Sequence, residues 1–282
     1  MRIYRYVRVL EESNEKTIIS EKFKSAIIES RAFFSHPATF NDPLECVVPL
    51  KINGKNISLE SHYELVNSYL KTILNESDTA RKKRIYETIK YGIALENCLV
   101  SCFSMEADNQ LMWSHYADQH KGVCLCYEIP NTIDVLKEQI KWSDNISYEM
   151  KKYDLTFYCG AVSYRMERPA MIVDNNIIQN DYYFTDAVFI KPLCWHYEKE
   201  WRMVLSLPIG SEIGFGVGMK TNNYYATLPR NWLKEISFGL RLEDEYCRDI
   251  IHLISESGYS EVQFKKAKMK HDRFEIISEL YD

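Results

Sequence analysis

The sequence predicts an α+β fold, a mixed central β-sheet with flanking helices and an inserted helical hairpin, organised as a single domain over residues 1–282. Two observations predict the sheet. Segments around Ile3 and Glu200 alternate apolar and polar residues at period two, the mark of a half-buried strand, and the segment around Leu99 is mostly apolar on both faces, the mark of a central one, with a further strand read from Val123 to Ile129. A third predicts the hairpin. Between residues 57 and 96, Leu59, Tyr63, Val66, Leu70, Ile73 and Leu74 form one helical stripe, and Ile85, Ile89 and Ile93 form another after the break Asn75-Glu76-Ser77-Asp78.

In chain order, the first strand, 3–9, carries Tyr4 and Tyr6 on one face and Arg5 on the other. Residues 17–31 have a helical period in Ile18, Ile19, Phe23, Ala26 and Ile27. The segment from Phe33 to Glu45 is a rigid loop, because Pro37 and Pro43 fix the backbone and Asn41-Asp42 before proline favours a turn. Polar side chains held on such a loop suit a site as well as they suit simple turn chemistry. Strand 97–104 leads into a polar knot, 105–110, and then a helix, 111–117, on which Trp113 and Tyr116 are neighbours. Gly122 fits the left-handed position after that helix. Strand 123–129, helix 133–140, strand 155–164 and a polar loop 167–181 follow, and Gly214-Phe215-Gly216 reads as a turn rather than a phosphate cradle. The tail reads strand 232–240, helix 244–257 and two short strands around Val262 and Ile276.

The stretch from Trp195 to Leu205 organises the functional reading. As a strand it would place Glu198, Glu200, Arg202 and Val204 on one face, about 7 Å apart at each step. Two carboxylates and a guanidinium in a row are either a solvated ion-paired face or, because the face turns apolar at Val204, the point where a sheet enters a cleft.

Composition bounds the rest. With 40 acidic and 35 basic residues the formal charge is −5, which argues against duplex binding by broad phosphate neutralisation and leaves room only for a local basic groove. The opening residues lack the apolar run of a signal peptide, and no window approaches the ~20 apolar residues that cross a bilayer. No membrane partner is therefore expected. The eight cysteines have no paired C-x-x-C spacing, so they read as core thiols of a reducing cytoplasm, with no metal expected.

A resemblance adds to this. Tyr4-Arg5-Tyr6, the run from Phe40 to Glu45, Cys102-Phe103-Ser104, the run from Trp113 to Ala117, His120-Lys121-Gly122-Val123 and the run from Trp195 to Arg202 together resemble the domain of unknown function 2971 family of microbial proteins. More distantly, an early strand with aromatic and Arg, a strand ending in Phe-Ser and a late strand carrying Glu are similar to the layout of ADP-ribosyltransferases. That resemblance implies NAD as substrate, an acceptor in nucleic acid or protein, and a setting in phage defence or toxin biology. Glu200 matches the carboxylate that opposes positive charge on the ribose, and Glu198 the first acid of a Glu-x-Glu pair. Arg5 or Tyr6 would orient the dinucleotide and Ser104 matches the mid-chain serine, while Asn41, Asp42, Trp113, Tyr116, Lys121 and Arg202 complete the expected cleft. The first strand lacks the usual histidine, and no Ser-Thr-Ser triplet follows Phe103. Two other readings stand beside it: a non-catalytic binding module gripping a ligand with Asn41, Trp113, Tyr116 and Lys121, and a metal-dependent nuclease using Asp186, Glu198 and Glu200.

Overall fold

Eight strands form the central sheet: β1 (Arg2–Val7), β2 (Cys98–Ser104), β3 (Val123–Glu128), β4 (Thr156–Ala161), β5 (Glu200–Ser206), β6 (Leu233–Phe238), β7 (Gln263–Met269) and β8 (Ile276–Leu280). The computed structural model describes residues 1–13, 16–42, 44–46, 49–57, 98–144, 146–147, 155–174, 177–178, 187–206 and 224–281. The strand order is β4-β5-β2-β1-β3-β6-β7-β8. Every neighbouring pair is antiparallel except β6 and β7, which are parallel. The helix Asp244–Glu256 lies between that pair in the chain, as a parallel pair requires a crossover.

Register assigns the faces. Ile3 pairs with Tyr127, Arg5 with Leu125 and Phe103 with Trp201, and the apolar members of this face join the main core. Helix α1 (Glu21–Ile28) contributes Phe23 and Ile27 to the same core, and the helix Asp244–Glu256 contributes Cys247, Ile250 and Ile254. The opposite face carries Tyr4, Ser104 and Glu200 in one row across β1, β2 and β5. Here a smaller apolar cluster forms from Tyr6, Cys124 and the helix α2 (Gln110–His115), through Met112 and Trp113.

The sheet opens between β1 and β2. These strands pair only at Tyr4 and Ser104, whereas β1 and β3 pair along their whole length. Beyond that point β2 takes a different partner: the backbones of Ser35 and Val100 exchange two hydrogen bonds of 2.8 Å.

Several expectations are corrected. Residues 17–31 are not one helix. Lys16–Ile19 pairs with Leu10–Ser13 as a hairpin, because the β-branched run Thr17-Ile18-Ile19 suits a strand, and Ser20 caps α1 by accepting the Phe23 N–H at 3.1 Å. The loop 167–181 contains the strand Met171–Asp174, parallel to Leu50–Ile52. The inserted hairpin at 57–96 lies outside the described residues, apart from Ile57 at the end of the strand Lys55–Ile57, and Gly214 to Gly216 lie outside them too.

Gly122 serves a different purpose from the one its position suggests. The left-handed residues after α2 are Asp118, Gln119 and His120, with φ of 48°, 54° and 72°. Gly122 instead lets two backbones meet, since a Cβ there would overlap the Val7 carbonyl oxygen. Gly239 lies opposite, its N–H on the Gly122 carbonyl at 2.9 Å, and a Cβ on it would overlap the His120 carbonyl. Because backbone atoms cannot swing aside as a side chain can, Gly239→Ala is expected to destabilise the protein by about 1–3 kcal/mol or more, read from urea unfolding.

Candidate active site

Where β1 and β2 part, a cleft of ≈ 320 Å³ opens on the Glu200 face. Cys102, Ser104 and Glu200 come from the sheet; Phe40, Asn41, Asp42 and Glu45 come from the loop after the short turn Pro37–Thr39. Tyr116 follows α2, and Lys191 and Glu198 come from the strand Ile190–Pro192 and the 3-10 turn Leu193–Glu198.

Glu198 is not on the strand. Pro192 precedes the 3-10 turn, Lys199 is left-handed at φ 44°, and the strand begins only at Glu200. Pleat alternation therefore accounts for Glu200, Arg202 and Val204 but not for Glu198, which the turn delivers. Ser104 anchors that turn by donating to the Glu198 carbonyl at 2.7 Å. Asn109 ties the turn to α2: its amide donates to the Tyr197 carbonyl at 2.8 Å, and its side-chain oxygen caps Leu111 and Met112 at 3.0 and 3.2 Å.

The side chains close into a buried charge cluster. The Lys191 ammonium lies 2.6 Å from Glu198, 3.0 Å from Glu200 and 3.2 Å from Glu45. Arg202 folds back along its strand and forks onto Glu200, Nε to Oε1 at 2.7 Å and Nη2 to Oε2 at 2.9 Å, and also pairs with Glu45. Tyr116 donates to Glu198 at 2.6 Å. Among the described residues, three carboxylates thus surround two cations, leaving one negative charge uncompensated within the cluster if every member is ionised.

Burial and neighbouring charge set the protonation behaviour. Desolvation pushes the Glu200 pKa above the ordinary carboxylate value, with Lys191 opposing it. Burial would lower Lys191, but Glu200 and Glu198 outweigh it and hold the ammonium charged. Burial pulls Arg202 down to about 9. Burial and then the Glu200 charge push the Cys102 thiol well up, so it stays protonated. The exposed thiol is Cys194, on the turn that carries Glu198. Brief alkylation of the native protein is expected to modify Cys194 first, with Cys46 reacting only after unfolding, as peptide mass mapping would record.

Of the residues singled out in the sequence, Glu200, Glu198, Arg5, Tyr6, Asn41, Asp42, Ser104 and Tyr116 all line this cleft. Tyr6 does so with its ring, since its hydroxyl is engaged with the backbone of Glu106, Ala107 and Asn109. Three do not line it. Trp113 is fully buried edge-on against Tyr6, filling core; Lys121 is exposed beyond the left-handed turn; and Arg202 is buried beneath Glu200, which it supports. Asp186 lies outside the described residues. Sequence reasoning missed Lys191 and Glu45. The available signal for Lys191 was a single lysine in the otherwise apolar run from Val188 to Leu193.

Residues 112–203 match the model of a protein family of unknown function, DUF2971. The matched segment runs from α2 into β5, so it supplies Tyr116, Lys191, Glu198, Glu200 and Arg202, while Arg5, Glu45 and Ser104 come from outside it. No curated protein and no solved structure matches the chain. Among the described residues no helix is long and apolar enough to cross a membrane.

Proposed function

We propose that this cleft binds NAD and breaks its glycosidic bond to nicotinamide, as an ADP-ribosyltransferase acting on nucleic acid or protein does. The observation that carries the reading is convergence: Glu200 and Glu198, far from Arg5, Asn41 and Ser104 in sequence, meet them around one opening in the sheet. Its electrostatics suit the chemistry. Positive charge develops on the ribose as the bond breaks, and a preorganised site with one excess negative charge favours that state. Arg202 and Lys191 fix the Glu200 carboxylate in place, so little reorganisation is needed. Eight free cysteines suit a reducing, cytoplasmic setting, where such a dinucleotide is at hand.

The test is to incubate purified protein with NAD and nucleic-acid or protein acceptors and follow nicotinamide release. Release is expected, together with a rise in Tm on adding NAD, since a ligand that binds only the native state stabilises it. The pH profile carries a sign. Glu200 must be ionised and burial raises its pKa, so activity should fall away on the acid side at a pH above the 4.5 of a free glutamate. An acid limb at or below 4.5 would exclude Glu200 as the group reported.

One observation favours a second reading, a binding module without turnover. The acceptor positions of Glu200 are occupied by Lys191, Arg202 and the Cys102 thiol. Stabilisation by NAD with no nicotinamide release under any acceptor condition would select it.

A further inference from the structure

Arg5, Tyr6 and Phe33 also line a second, larger cavity of ≈ 530 Å³. Arg5 pairs in register with Leu125, whereas Tyr4 next to it in sequence is in register with Ser104; its side chain therefore belongs to the face opposite Glu200. There α1 covers the opening, and Phe23, Ile27, Leu125 and Tyr127 give the cavity an apolar floor and roof.

The charge balance of this cavity is the reverse of the first. Among the described residues, Arg5, Arg8, Lys22 and Arg31 line it against a single acid, Glu11, whose carboxylate accepts the Glu21 N–H at the start of α1 at 3.1 Å. Arg31 pairs with Glu29, and Arg8 lies 3.7 Å from Asp118. Arg5 is different: among the described residues it meets no carboxylate, and its guanidinium lies over the Phe103 ring at 5.5 Å. A half-buried, planar guanidinium without an anion, lining both cavities, is a recognition group for an anion that can accept two hydrogen bonds at once, such as phosphate.

We propose that the second cavity binds the phosphate-bearing end of a nucleotide, with the base against Phe23, Leu125 and Tyr127 and the phosphate held by Arg5 and the rim of Arg8 and Lys22. The cavity volume falls in the range of small-ligand sites, and its mixture of aromatic floor and convergent cations is the composition such sites have. The inference rests on the dinucleotide reading in one respect, the choice of a nucleotide among phosphate-bearing ligands. A ligand spanning the opening would then set its cationic ring beside the acidic cluster and its phosphates at Arg5.

Calorimetric titration with AMP tests this, with adenosine and inorganic phosphate as the separate halves. AMP is expected to bind more tightly than either half and to weaken as salt rises. Lys22→Glu, on an exposed position of α1, should weaken AMP by about tenfold, and Arg8→Gln by a similar or smaller factor. Equal AMP affinity in wild type and both variants, adenosine binding as tightly as AMP, or a fatty acid binding in place of AMP would each overturn the inference. The two readings separate cleanly. Nicotinamide release without AMP binding overturns the second cavity alone, whereas AMP binding without nicotinamide release overturns the catalytic reading alone.

Discussion

Replacing Glu200 by glutamine is expected to slow nicotinamide release by roughly 100-fold or more, the loss typical of removing one main electrostatic group at a transition state. The substitution keeps shape and leaves one oxygen to accept from Arg202 Nη2 and Lys191, at the loss of the hydrogen bond that the second carboxylate oxygen accepts from Arg202 Nε. Folding should survive for a countable reason: two carboxylates, Glu45 and Glu198, would then face two cations, so the variant cluster is balanced where the native one carries an excess. Glu198→Gln should be milder for bond cleavage and harsher for transfer, if Glu198 is the base that activates an acceptor. Single-turnover release of nicotinamide and label transfer to acceptor, measured side by side, distinguish the two variants. Equal release in wild type and Glu200→Gln would sink the transferase reading.

The readable part of this site is the part built by local geometry. Glu200 and Arg202 share a face because the strand pleat puts them there, and period two is visible in any sequence. Glu198 was found through the same alternation although a left-handed Lys199 breaks the strand between them; its sequence distance, rather than the pleat, kept it close. Glu45 was not legible, because its partners Lys191 and Arg202 come from segments remote in sequence, whereas Lys191 stands only 7 and 9 residues from Glu198 and Glu200 and was missed because the 3-10 turn that folds it back onto them is not visible as a period. Helical spacing correctly made Trp113 and Tyr116 neighbours, but a three-residue step does not say which of them meets core and which meets the cleft. Propensity misjudged residues 17–31 for the ordinary reason that Ile18 and Ile19 satisfy a helical stripe and a hairpin equally well, and Ser20 decides between them. Gly122 was recognised as special on the wrong ground: positive φ is a local property, and the approach of Val7 and Gly239 is not.

Lys191→Met is expected to be the most destabilising single change in the site, at about 3–5 kcal/mol, because it leaves buried carboxylates without their shared cation. The ammonium touches Glu198, Glu200 and Glu45 together, so its loss leaves Glu45 and Glu200 with Arg202 as their shared cation and Glu198 with only the Tyr116 hydroxyl. Methionine fills nearly the same volume, which separates lost charge from lost packing. The defect should depend on pH in a defined direction. Without Lys191 the positive charge that opposes the desolvation of Glu200 is gone, so its folded-state pKa rises further above the unfolded value. The cost is then fully present above the folded-state pKa and is relieved as pH falls through it, when the carboxyl takes up a proton in the folded protein before the unfolded one does. The double variant Lys191→Met with Glu198→Gln removes one of the stranded acids as well, and coupling between direct neighbours of about 0.5–3 kcal/mol should appear as partial recovery. Urea unfolding of the four proteins at neutral and mildly acidic pH reads all of this. A loss below about 1 kcal/mol for Lys191→Met, the level of an exposed pair, would mean that water reaches these charges in solution and that the cluster is not the closed, preorganised unit on which the catalytic reading depends.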